Sequence, residues 1–186
     1  MKLQKVSNII LITTLVLTPI VDQTIHIFKT TAETNSKNTK QNTAQFKTYI
    51  LNRTISFNYP SKWLFFKVDN NYIYITNRQP KFAAPWPYDF IKTDITIEVA
   101  SLKDKATEYS NTKAGLERDI LKVEKIRINN RDSYRIWSTD GETNTISTLV
   151  YVSANRTASI NTFHNPGNTK ILPTVYKIHD SIKVIR

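Results

Sequence analysis

Two carboxylates in this chain have the type and spacing to hold an ion. Asp94 and Glu98 sit in Asp94-Ile95-Thr96-Ile97-Glu98-Val99, where apolar and polar residues alternate as in a strand with one wet face. The period of two points both carboxylates to the same side, and Asp89 lies just upstream. Carboxylate oxygens suit a hard cation such as calcium. Four residues of strand cover about 13 Å, too far for both groups to ligate one ion directly. The plainer alternative is a solvated strand face.

The second chemical signal is the stretch Arg78 to Phe90, RQPKFAAPWPYDF. It interleaves Phe82, Trp86, Tyr88 and Phe90 with Pro80, Pro85 and Pro87, and Arg78 and Lys81 lie at its start. Prolines lower the entropy lost when a loop docks. Aromatic residues and arginine are enriched at contact centres between proteins. The segment reads either as a partner-binding edge or as a plug for the open edge of a sheet.

Other chemistry is excluded by what the chain lacks. Its glycines are Gly115, Gly141 and Gly167, so no phosphate-cradling or dinucleotide-binding glycine motif exists. There is no G-x-S-x-G elbow and no H-E-x-x-H. With no cysteine there is no disulfide, thiol nucleophile, thiolate ligand or lipid-bearing cysteine. A small hydrolase would need a spatial triad, for which no motif speaks. The formal net charge is +11. Residues 1–32 carry Lys2, Lys5, Lys29 and Asp22, and without them about +9 remains. Such a charge favours anionic surfaces, whether lipid, nucleic acid or an acidic protein, or simply confers solubility. The cations are spread along the chain, which favours none of these over another.

Several elements must position these residues. At the N-terminus, Lys2 and Lys5 precede the apolar run Ile9 to Val21, the arrangement of an export signal, cleaved near Glu33 or kept as an anchor. Residues 33–47 read as a flexible polar linker. Strand-like alternation then runs through Ile55-Phe57-Tyr59, Trp63 to Val68, Tyr72 to Thr76 and Ile95-Ile97-Val99, with a turn at Asp69-Asn70-Asn71. Trp63, beside Phe65, is expected in the core. A helix is expected over 110–121, capped by Ser110 or Asn111 and with Leu116, Ile120 and Leu121 on its apolar face. A meander follows, turning at Asn129-Asn130, Asp140-Gly141 and Asn155. A closing helix from Asn168 carries the stripe Ile171, Val175, Ile178, Ile182. The fold class is α+β, an antiparallel sheet with helices packed on it.

Three motifs resemble one known family. Phe57-Asn58-Tyr59-Pro60-Ser61-Lys62-Trp63 is similar to the F-x-Y-P-x-x-W opening of the PsbP-like domain. Asn130 to Ile136 resembles that family's turn and following strand, with asparagine where glycine is more usual, and His179 to Val184 resembles its final helix and Ser-Ile/Phe-Lys ending. The resemblance covers residues 48–186. It implies an α/β/α sandwich and a non-enzymatic binder, since members include the extrinsic subunit of photosystem II, lumenal assembly factors and a nuclear-transport factor that binds Ran. It also implies a divalent ion held by Asp and His, which makes His164 with a nearby carboxylate a second candidate ion site beside a strand-end histidine in water. Without a lipobox cysteine the chain departs from the photosynthetic bacterial relative. The expectation is a monomer exported to a thylakoid lumen or periplasm, with a protein complex at a membrane surface, photosystem II among them, as partner. A basic nucleic-acid or anionic-surface binder is the alternative, which export disfavours.

Overall fold

The computed structural model describes residues 45–80, 87–111 and 118–185. The expected export segment, nearly all of the expected linker, and Lys81, Phe82 and Trp86 lie outside the described residues.

The chain opens with a hairpin of β1 (Phe46–Leu51) and β2 (Ile55–Pro60). β1 begins two residues inside the segment expected to be linker, because Phe46 pairs with Pro60 and Lys47 with Tyr59. Asn52 (φ 45°) and Arg53 (φ 50°) make its turn. The last short strand, β10 (Lys183–Val184), pairs with β2, closing a three-stranded sheet.

The larger sheet has seven antiparallel strands: β3 (Leu64–Lys67), β4 (Tyr72–Thr76), β5 (Ile91–Glu98), β6 (Asp119–Ile128), β7 (Arg131–Thr139), β8 (Asn144–Ser153) and β9 (Arg156–His164). Their spatial order is β3-β4-β5-β9-β8-β7-β6. β6 and β7 join through Asn129 (φ 46°) and Asn130 (φ 64°), a two-residue loop with both φ positive. That backbone matches the right-handed twist of the strands, and asparagine adopts it at low cost.

Alternation along β5 buries Ile91, Thr93, Ile95 and Ile97 and leaves Lys92, Asp94, Thr96 and Glu98 half-buried on the other face. The buried face joins Phe57, Ile73, Ile75, Val150, Ile160, Ile178 and Ile182 in the main core, between the large sheet, β2 and the helix α2 (Leu172–Asp180). On the opposite face, α1 (Leu102–Ser110) sets Leu102 and Ala106 against Ile136 and Leu149. Helices therefore cover both faces, and the chain is an α+β sandwich with an antiparallel sheet at its centre. Trp63 is half-buried and packs against the main core from outside it.

One expected helix is misplaced. Ser110 ends α1 and Asn111 is its C-cap, while Ile120 and Leu121 belong to β6. The helix starts eight residues earlier, at a local cap. The Ser101 hydroxyl accepts from Asp104 N–H at 3.1 Å and donates to the Asp104 carboxylate at 2.6 Å. The closing helix keeps its register. A short 3₁₀ turn, Thr169–Ile171, leads into α2, Pro173 stands in the first turn, and Val175, Ile178 and Ile182 are fully buried.

Candidate functional site at one end of the large sheet

Antiparallel pairing brings six strand ends to one edge of the molecule. β4 finishes at Thr76, β5 starts at Ile91, β9 finishes at His164, β8 starts at Asn144, β7 finishes at Thr139 and β6 starts at Asp119. The register locks them together: His164 faces both Ile91 and Asn144, and Thr139 faces both Asn144 and Asp119. The two ends of the connection between β4 and β5 (residues 77–80 and 87–90), the 140–143 turn and the 165–168 turn thus converge. Between them lies a cavity of about 720 Å³ walled by Phe90, Phe163, His164, Arg118 and the 140–143 turn.

Side-chain hydrogen bonds shape each connection. Asn77 bridges the base of its loop, accepting from Ile91 N–H at 2.9 Å and donating to Asp89 C=O at 2.6 Å. Asp140 Oδ1 accepts from the N–H groups of Glu142 (3.0 Å) and Thr143 (2.6 Å), with Gly141 at φ 88° beside it. That φ is costly for a residue with a Cβ. Asn165 Oδ1 accepts from Gly167 N–H at 3.0 Å.

The loop's described residues divide. Tyr88 is 59 % exposed. Its hydroxyl would lie 2.8 Å from a Cβ on Gly167, so the missing side chain makes room for the ring. Arg78 is spent on Asp89 at 2.6 Å, both well exposed. Phe90, expected at the partner-binding edge, is buried at 3 %. A tight turn, Phe90 N–H to Pro87 C=O at 2.8 Å, folds it inward ahead of β5.

The expected ion-binding residues are not brought together. Asp94 is 2.8 Å from Lys92 Nζ and accepts from the Tyr72 hydroxyl at 3.2 Å. Burial works against the charge on Lys92, but the hydrogen bond and charge of Asp94 outweigh it and raise its pKa; burial and Asp94 raise that of Tyr72. Glu98 pairs with Lys105 and accepts from the Ser159 hydroxyl at 2.6 Å, and Asp89 belongs to Arg78. Each carboxylate faces a cation of its own. His164 is not a histidine in water: it is 3 % exposed, with Nδ1 2.9 Å from the Asn165 carbonyl. Burial lowers its pKa, so the ring is neutral at neutral pH. Among the described residues no three His, Asp or Glu side chains are grouped to hold a metal.

Sequence reasoning passed over Arg118, Asn161 and Phe163. Arg118 and Phe163 line the large cavity and also a second one of about 250 Å³ beneath α1, where Asn161 and Tyr109 stand. Their signal was faint. Asn161 and Phe163 look like ordinary outward positions of β9, and only the placement of α1 makes a cleft above them. On the same sheet face, Phe66 stacks on Tyr74 at 4.6 Å, and Lys92 Nζ stands over the Tyr74 and Phe163 rings at 5.1 and 5.8 Å.

No protein-family model matches the chain, and none of the curated proteins matches it by sequence. Solved structures do match its shape. The Ran-binding protein Mog1p of Saccharomyces cerevisiae is 7 % identical, covering 76 % of this chain and 96 % of its own at a TM-score of 0.51. LpqN of Mycobacterium tuberculosis, involved in cell envelope biogenesis, is 11 % identical over 77 % of this chain and 87 % of its own, with a TM-score of 0.52. The fold is PsbP-like. Cyanobacterial PsbP from Synechocystis is similar as well, 12 % identical over 76 % of this chain and 93 % of its own at a TM-score of 0.48. At these identities the likeness to Mog1p and LpqN is one of fold.

Proposed function

We propose that this chain is an exported, non-enzymatic binding module that docks a protein partner at the loop end of its seven-stranded sheet. The observation that carries this reading is the exposed ring of Tyr88 at the place where three connections converge around a cavity of about 720 Å³. A large ring beside a concave, partly aromatic wall is the arrangement from which contact centres between proteins are built. The printed description of one neighbour of the same fold, a Ran-binding protein, is in keeping with a binder. Export rests on Lys2, Lys5 and the apolar run that follows them. The partner is a complex at a membrane surface on the lumenal or periplasmic side, photosystem II in a photosynthetic source, and the module acts as a monomer.

The test is capture of partners from native membranes by the full chain, read by mass spectrometry, with Tyr88→Ala and Trp86→Ala beside the wild type. Truncating a ring at a contact centre costs about 2–4 kcal/mol of association, roughly a thirty- to thousand-fold loss of affinity. Undiminished capture by both variants would overturn the docking surface. Recovery of the native protein in the cytoplasm with Met1 intact would overturn export.

A further inference from the structure

The end of the sandwich opposite the loop edge is a second gathering of connections, tied together by hydrogen bonds. Asn52 Nδ2 donates to Asn71 Oδ1 at 2.7 Å, joining the β1–β2 turn to the β3–β4 turn. Ile97 N–H donates to the Asn71 carbonyl at 2.9 Å, which brings in the exit from β5. The Thr157 hydroxyl donates to Ala100 C=O at 2.9 Å and adds the β8–β9 turn. Ile185 N–H donates to Thr54 C=O at 2.8 Å and Asn129 Nδ2 to Ile182 C=O at 2.5 Å, so the residues after α2 link the first turn to the β6–β7 turn.

Six cations stand at this end: Arg53, Lys67, Arg127, Arg131, Arg156 and Lys183. None of them belongs to an ion pair among the described residues, and Lys67 and Arg127 hydrogen-bond only to the neutral Asn70 and Asn130. Two carboxylates share the end. Asp69 accepts from the N–H groups of Asn71 (2.6 Å) and Tyr72 (2.8 Å), and Asp132 is in register with Arg127. Lys103 and Asp104 in the first turn of α1 cancel. Six cations against two carboxylates leave +4. Four apolar side chains project among these charges: Ile50 at 55 %, Val68 at 54 %, Val99 at 82 % and Ile185 at 42 % exposure. They lie on four separate segments, and Ile50 shares a cavity of about 510 Å³ with Arg53 and Lys67.

We infer that this turn end seats on an anionic lipid surface. Unpaired cations meet the headgroup phosphates, and the aliphatic tips between them reach the boundary of the acyl chains. A nucleic acid calls for rings on which bases stack, and the exposed apolar groups here are all aliphatic. A protein contact centres on a contiguous packed cluster, whereas these four side chains stand apart on their own segments. Strands of eight and ten residues, β5 and β8, separate this end from the loop edge by roughly 25–30 Å. A chain seated in this way presents Tyr88 away from the bilayer. The inference does not rest on the proposed docking surface, which uses the other end.

The chain has no cysteine, so a single one can carry a fluorophore. Val99→Cys labels the turn end and Glu142→Cys the loop end, both at exposed positions. The full chain is mixed with vesicles of phosphatidylcholine alone, or of phosphatidylcholine and phosphatidylglycerol in equal parts, each with a nitroxide-lipid quencher. The Val99 label should be quenched on the anionic vesicles, far less on the neutral ones, and the Glu142 label on neither. Any hold of residues 1–32 on lipid is shared by both labelled chains, so the difference between labels reports the contact of this end. Replacing Arg53 and Lys67 together by Gln should raise the lipid concentration at half-quenching about 25-fold at low salt, about fivefold for each cation, and added salt should raise it further. Equal quenching of the Val99 label on neutral and anionic vesicles means that this end reads no charge, and the inference fails. Stronger quenching at Glu142 than at Val99, or quenching of neither label, overturns it. Release of the Val99 label from the vesicles by oligothymidylate at matched phosphate marks a nucleic-acid face and overturns it as well. Tyr88→Ala, which tests the docking surface, should leave the Val99 signal unchanged, so the two readings fail separately.

Discussion

The imidazole Nε2 of His179 stands 2.8 Å from the hydroxyl of Thr162, in the middle of the protein. Across the ring, Nδ1 is 2.8 Å from Thr148 Oγ1, and all three residues are fully buried. The chain of contacts runs on to the Thr93 hydroxyl at 2.7 Å and, from Thr148, to Arg135 Nε at 3.1 Å. A neutral imidazole is donor on one nitrogen and acceptor on the other, and the two hydroxyls meet both needs. A charged ring would be costly there. Burial first, and then the Arg135 guanidinium, pushes its pKa down to about 3 from an ordinary 6.5.

This predicts acid sensitivity. The folded state binds the proton less well than the unfolded state, so between about pH 6.5 and pH 3 the unfolded chain holds more protons and stability rises with pH. The contribution is complete at neutral pH and is lost as the pH falls, on the order of 4 kcal/mol by pH 3. Urea unfolding between neutral and acid pH measures it. His179→Gln removes the titrating group, and its stability should fall less steeply on acidification. Equal slopes for both proteins would sink the assignment.

Lys105 is 6 % exposed and is held by Glu98 and Glu108. Burial alone would lower its pKa, but the two carboxylates raise it, so it is charged in the folded protein. Lys105→Met strands Glu98 beside apolar surface and should cost about 2–3 kcal/mol, at or below the lower end for a broken buried pair because Glu98 keeps some solvent and the Ser159 hydroxyl. Adding Glu98→Gln should recover much of the loss. A double variant no more stable than Lys105→Met in chemical denaturation would show that the charge pairing is not the cause.

Phe57 and Trp63 share the opening motif but not its burial. Phe57 is 0 % exposed in the main core, whereas Trp63 is half-buried against it. Phe57→Ala should cost about 3–5 kcal/mol. Trp63→Ala should cost less, about 1–3 kcal/mol, since part of its ring keeps solvent and less cavity is left behind. The order of the two denaturation midpoints decides the matter; the reverse order would contradict the packing described.

Gly167 gives a finer test of the docking surface. An added Cβ would stand 2.8 Å from the Tyr88 hydroxyl and 3.0 Å from its ring, so Gly167→Ala must displace that ring. Because Tyr88 is largely exposed, the ring can swing outward for about 0.5 kcal/mol or less of stability. Partner capture should nonetheless fall toward the level of Tyr88→Ala. A large loss of thermal stability with capture retained would mean that the ring is a structural plug.

Much of this architecture was written locally. Alternation through Ile95 and Ile97 marked the inward face of β5, since a period of two fixes which side chains share a surface, whereas Val99, read with them, lies beyond the strand and is 82 % exposed. The asparagine pair at 129–130 marked its turn because few other residues accept two positive φ values in succession. The stripe Val175, Ile178, Ile182 named the residues that α2 and the chain after it bury. Local patterns failed where two periods competed. Leu116, Ile120 and Leu121 fit a helical stripe on paper, yet Ile120 and Leu121 lie on an edge strand, with Leu121 59 % exposed. The helix actually present announced itself only through Ser101 and Asp104.

What the sequence could not contain was adjacency between distant segments. Asp94 and Glu98 were read as a pair from their spacing, but Lys92 claims Asp94 within β5 and Lys105 claims Glu98, and the second pairing depends on α1 folding back onto the sheet. Phe90 and Tyr88 have the same composition signal, and the turn at Pro87 sends one into the interior and the other toward solvent. The neutrality of His179 follows from three strands and a helix closing around it. Chain order sets propensity and facing through short-range sterics and side-chain period. Which charges meet and which polar atoms lose water is decided only when segments far apart in the chain pack together, because desolvation and pairing belong to the assembled interior.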